Sequence, residues 1–228
     1  MATTLTQLID ACEADLADSS NAVWSAADVE QWLRDAIADY SQHFPRTMTT
    51  EIACSADDRE YDLAATFQEM ITVEYPKDED PPQFLQRRPH NHPDFWPEAG
   101  YYDIIFRAGD SDVDELWIST KPAAGEKIDA TYLADHDFTS VVATATTVPE
   151  KHHHILRKYV MWQALHQLKV QEEASPTSNS SLLMSQYAIN VDRARRAYVD
   201  SLAKALFATS KSAVISWAGQ TNESGRVY

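Results

Sequence analysis

The chain has 228 residues, and its 35 acidic and 19 basic side chains give a formal net charge of −16. Neutralising phosphates needs a net basic surface, so a general nucleic-acid coat is excluded. Hydrophobic residues at 44% and aromatics at 10% supply enough apolar surface to offset the entropy of ordering. No run of about 18 apolar residues occurs that could cross a membrane.

The length fits one domain or two small ones. Cys12 and Cys54 fit a reducing environment or plain core filling and do not make a disulfide framework. The opening MATTLTQLID has neither a basic stretch nor an apolar stretch, so no secretory signal is expected. Five glycines are few for a Gly-rich nucleotide-binding architecture. The charge is uneven. Residues 1–45 hold eight acids against one base, 46–147 hold 21 against eight, and 148–228 hold six against ten. Such asymmetry suits a chain that joins unlike neighbours, and it equally suits one that acid keeps soluble until it meets them.

In chain order, Leu5, Leu8, Ile9, Cys12 and Leu16 fall at helical spacing and predict a short helix. Ser25 with Asp28 three residues on is a capping-box variant. After it, Val29, Trp32, Leu33, Ala36, Ile37, Tyr40 and Phe44 mark one face of an amphipathic helix that Pro45 stops. From 47 to 147 the texture changes. Thr47 to Cys54, Phe67 to Tyr75, Tyr101 to Phe106, Glu115 to Thr120 and Lys127 to Leu133 are short β-prone runs separated by turn signals. Gly109 to Asp112 suits a hairpin turn. Residues 76–98 hold six of the ten prolines and predict a long loop without regular structure.

The helical period returns at Pro149, which suits a first helical turn. Ile155, Leu156, Tyr159, Trp162, Leu165 and Leu168 make an apolar face. After a polar loop, Glu172 to Ser181, the stripe Leu183, Tyr187, Val191, Ala194, Tyr198, Leu202 and Ala205 predicts a second long helix to about Lys211. The expected domains are N-terminal helices (1–46), a β-rich insert (47–147), two long helices (148–211) and an extended C-terminal tail (212–228). The fold class is α+β, a bundle of N-terminal and C-terminal helices with an inserted small β-rich domain.

No constellation carries recognisable catalytic chemistry, and no enzyme activity or cofactor is expected. His152, His153 and His154 are consecutive, so on a helix they point about 100° apart and cannot share a metal. They read as a solvated helix start. His90 and His92 beside Asp94 could reach one metal, but nothing completes the shell that zinc requires. Asp110, Asp112 and Asp114 imitate a calcium loop, yet Glu115 and Lys121 stand where it needs Gly and Glu. There is no phosphate-binding loop and no nucleophile elbow. Two interaction features remain. Arg193, Arg195 and Arg196 interrupt the acidity and suit an acidic neighbour such as another copy of the chain. The tail carries Val214, Ile215 and Trp217, then Val227 and Tyr228, which are anchors for docking on a partner.

The order and texture of these segments resemble the head-to-tail adaptor proteins of tailed bacteriophages. The matching stretches are Val29 to Tyr40, Tyr61 to Leu63, Met70 to Pro76, Gly100 to Phe106, Leu116 to Pro122, Ile128 to Tyr132 and Pro149 to Leu168, within roughly residues 25–210. The resemblance implies a structural virion protein at the head–tail junction, assembled in the host cytoplasm. It implies a homo-oligomeric ring, a dodecamer, docked below the portal protein. The ring extends the DNA channel, lets double-stranded DNA pass without specific binding, and offers a surface to the tail or next neck protein. The resemblance also implies that the C-terminal tail reaches the portal. The proline loop 76–98 departs from the family's pattern. The alternatives are a small metal-binding hydrolase or regulator using His90 and His92, and another neck component such as a stopper or tail terminator. The long C-terminal helices disfavour the latter.

Overall fold

The computed structural model describes residues 4–97, 99–107, 113–138, 146–174 and 180–218, with the backbone alone described at 180–182 and 210–218. The architecture is α+β. The chain divides into two compact units, Met1–His43 with Asp137–Tyr228, and Phe44–His136.

The first unit is helical. Helix α1 (Leu5–Asp15) starts at a capping box: Thr4 Oγ1 accepts from the Gln7 N–H at 3.2 Å, and Gln7 Oε1 accepts from the Thr4 N–H at 3.0 Å. Helix α2 (Ala26–His43) starts at the expected Ser25–Asp28 pair. Ser25 Oγ accepts from the Asp28 N–H, and Asp28 Oδ2 accepts from the Ser25 N–H at 3.0 Å. Between the two helices, the Asp18 carboxylate accepts from the N–H groups of Ala22, Val23 and Trp24 at 2.8–2.9 Å. Those bonds hold its pKa below the usual carboxylate value and fix the connector. Val29, Leu33, Ala36, Ile37 and Tyr40 are buried along α2, at the expected spacing.

A 3₁₀ turn (Glu150–His152) leads into α3 (His153–Ala174), and α4 (Ser180–Ala218) follows. Helix α3 packs against α1, α2 and α4. With neighbours on several sides its burial is not one stripe. Ile155, Leu156, Val160 and Ala164 are buried, whereas Tyr159, Trp162, Leu165 and Leu168 are half-buried. Helix α4 buries Tyr198, Ser201, Leu202 and Ala205, while Leu183 of the expected stripe is exposed. Its helical backbone continues past Lys211 to Ala218, so residues 212–218 are helical where extended chain was expected. Residues 219–228 lie outside the described residues, as does the expected turn at Gly109–Asp112.

The second unit is a small sandwich. Strands β1 (Arg46–Ala53), β3 (Phe67–Glu74) and β7 (Lys127–Ala134) form one sheet in the order β1-β7-β3. Strands β2 (Glu60–Asp62), β4 (Gln86–Arg87), β5 (Tyr101–Ile105) and β6 (Glu115–Ile118) form the other, in the order β2-β6-β5-β4. Residues from both sheets, among them Val73, Leu116, Ile118, Ile128, Ala130 and Tyr132, make one apolar core. β2 is too short to show a periodicity in the sequence, so only its pairing with β6 defines it.

The proline segment 76–98 corrects the expectation of a structureless loop. Gln86 and Arg87 pair in parallel with Tyr101 and Tyr102. Leu85 donates its N–H to Val73 O at 2.8 Å, and Leu85 and Phe95 are buried. The prolines rule out continuous ladder pairing, but they leave room for two-residue pairings and apolar anchors between them.

Candidate functional site

The basic face of α4 stands on an aromatic base inside the helical unit. Trp162 and Tyr198 stack with centroids 6.2 Å apart and planes 18° apart, and Tyr159 meets both rings edge-on. Tyr198 donates a short hydrogen bond to Asp39 Oδ2. Burial raises the Tyr198 pKa, and this bond raises it further, so the hydroxyl keeps its proton. Lys158 Nζ donates to Ser201 Oγ at 2.5 Å, and Ser201 donates to Ala197 O at 2.7 Å. These contacts fix which side of α4 faces inward.

The arginines therefore lie outward. The Arg195 guanidinium sits 5.9 Å from the Trp162 ring centroid. Among the described residues Arg196 makes one ion pair, an exposed one at 3.3 Å with Asp192 one helical turn earlier, and such a pair contributes about 0.3–0.5 kcal/mol. Arg193 is exposed and makes no ion pair among the described residues. Asp192, Arg195, Arg196, Val199 and Asp200 line a shallow hollow of about 390 Å³. Ile189, Val199 and Leu206 on the same helix are exposed large apolar side chains. The helix thus presents cations and apolar groups together, the mixture an interface uses. Of the tail anchors, Val214, Ile215 and Trp217 fall where only the helical backbone is described. Val227 and Tyr228 fall outside the described residues.

The histidine run corrects the expectation of a solvated helix start. His152 Nδ1 and Tyr40 Oη share a 2.5 Å hydrogen bond, with the two rings 5.8 Å apart. Burial pushes the Tyr40 hydroxyl up to about 12. His153 Nε2 bonds Val148 O at 3.1 Å, and His154 Nδ1 bonds Lys151 O at 2.8 Å. Each imidazole has its own structural partner, and two of them are half-buried. A sequence gives no sign of the Tyr40 contact, because 112 residues separate the partners.

In the β unit, His90 is an anchor of the proline segment. Its N–H donates to Asp103 Oδ2 at 2.8 Å, and Nδ1 lies 2.9 Å from the same oxygen. The His90 ring meets Trp117 at 5.2 Å, Trp117 meets Trp96 at 5.8 Å, and Arg59 lies 5.1 Å from Trp96. His92 lies 3.5 Å from Asp94. Among the described residues no three His, Cys, Asp or Glu side chains are placed to hold a metal ion. Burial pushes the Cys12 thiol up to about 12 and raises that of Cys54, the opposite of activation.

The prolines also frame an acidic turn. Asp78, Glu79 and Asp80, between Pro76 and Pro81, are all exposed. The base of the turn is fixed. Tyr75 donates its N–H to Gln83 O and Lys77 donates its N–H to Lys127 O, each at 2.9 Å, while Lys77 Nζ pairs with Glu51 at 2.7 Å and Asp129 at 3.4 Å.

The exposed arginines of α4 lie in the helical unit and the exposed acidic turn in the β unit. Residues 3–209 match the SU10 adaptor protein family, and the chain belongs to that family. This is the phage head-to-tail adaptor class that the sequence resembles, and it makes the chain a structural component of the virion. No curated protein matches the chain.

Proposed function

We propose that the chain is a head-to-tail adaptor. Twelve copies close into a ring below the portal protein, extend the DNA channel, and give the tail or next neck protein its attachment surface. The ring assembles in the host cytoplasm and stays at the head–tail junction of the virion. The observation that carries this reading is the family match, which runs through both units. Two physical features support it. A closed ring needs two different lateral faces that fit each other, and the chain is acidic through residue 147 and basic after it. A net charge of −16 also lets DNA slide through a lumen, because few cations are available to hold its phosphates.

In this reading Arg193, Arg195 and Arg196 make charged contacts between subunits. Val214, Ile215, Trp217, Val227 and Tyr228 form the portal-binding segment. The test is deletion of residues 212–228 with the cognate portal as bait. The truncated chain keeps its circular dichroism spectrum, apart from the shortened end of α4, and no longer co-purifies with portal. Retained portal binding overturns the role of the segment. A full chain that never forms rings on portal overturns the adaptor reading itself.

A further inference from the structure

We propose that the acidic turn Asp78-Glu79-Asp80 of one copy seats on the arginine face of α4 in the next copy. The inference rests on the ring reading and names the two surfaces that meet. The cations form an arc about Arg196, with Arg195 about 100° to one side and Arg193 about 60° to the other, and they meet three carboxylates on the turn. Among the described residues neither set is fully neutralised, although Asp192 and Asp200 line the hollow beside Arg195 and Arg196. Asp78, Glu79 and Asp80 make no ion pair among the described residues, and the arginines make only the exposed Arg196–Asp192 pair. Glu79 accepts a 2.6 Å hydrogen bond from Gln83 Nε2, which leaves its charge in place.

Geometry adds to charge. The hollow of about 390 Å³ is lined by Arg195 and Arg196 with Asp192, Val199 and Asp200; Asp192 already pairs with Arg196, so Arg195 is the fork open to a two-bond contact with an incoming carboxylate. The acidic turn is held at its base by the Tyr75–Gln83 and Lys77–Lys127 backbone bonds, so little ordering entropy is lost when it docks. The exposed Ile189, Val199 and Leu206 give the same helix apolar area to bury around the charged centre. The two surfaces lie on different units of the chain, as a head-to-tail contact between copies requires.

Two charge-reversed full-length chains test the contact: R193E/R195E/R196E, and D78K/E79K/D80K. All six positions are exposed, so both variants should keep the wild-type thermal melt. By sedimentation velocity at low salt, each variant alone should need about tenfold more protein, or higher, to assemble than wild type. An equimolar mixture should restore assembly, because every contact between unlike chains then pairs opposite charges. A contact within one chain is not rescued by mixing. The inference is overturned if either variant assembles like wild type, or if the mixture stays as impaired as its components. In both cases wild-type rings survive and the adaptor reading stands. Wild type that remains monomeric, with portal and without it, removes both.

Discussion

Single residues in this chain do most of their work by placing backbone. Ser25 and Asp28 close the start of α2, and Asp18 collects three N–H groups that would otherwise go unpaired in the connector. In the β unit Glu51 instead ties two lysine side chains together. Hydrogen bonds from Lys127 at 2.6 Å and Lys77 at 2.7 Å lower its pKa to about 2 from an ordinary 4.5. A carboxylate with a depressed folded-state pKa contributes stability that is complete above its unfolded value and lost as pH falls through the folded one. Glu51→Gln is therefore expected to melt below wild type at pH 6. The difference should close between about pH 4.5 and pH 2 in paired thermal melts. A difference that persists at pH 2 would mean that packing, not charge, holds this site.

At the scale of elements, the proline segment shows how apolar anchors organise a stretch that cannot pair continuously. Phe95 is fully buried, with the Trp96 ring 4.8 Å away, and His90 ties the same segment to β5 through Asp103. Phe95→Ala is expected to cost about 3–5 kcal/mol and to open residues 83–97 to limited proteolysis before the rest of the β unit. Equal cleavage in wild type and variant would show that the other contacts hold the segment without it. The helices were legible because their signals are local. The Ser25–Asp28 cap and the spacing of Val29, Leu33, Ala36, Ile37 and Tyr40 lie within one element. The contacts of Trp96 with Trp117 and of Arg195 with Trp162 join different elements, and no local pattern announces them.

For the whole molecule, two units with separate cores imply separable responses. Leu116 is fully buried in the sandwich core and Leu156 is fully buried in the helical unit. Leu116→Ala and Leu156→Ala should each cost about 2–5 kcal/mol. Hydrogen exchange is expected to lose protection chiefly within Phe44–His136 for the first and within α2, α3 and α4 for the second. Uniform loss across the chain in both variants would show a single cooperative unit.

The sequence by itself determined the α+β class, the helices, the five longer strands, the Ser25–Asp28 cap, and the strong acidic excess of the first two-thirds. It also carried the adaptor resemblance, because the order and texture of the segments are written along the chain. The tertiary structure alone decided three further points. It paired Tyr198 with Asp39 across 159 residues, turned the histidine run into helix-start contacts, and folded the proline segment onto a sheet edge with an acidic turn at its exposed end. The physical reason is range. Periodicity and capping act over three or four residues, whereas partners brought together by burial of a common core are chosen by the whole chain.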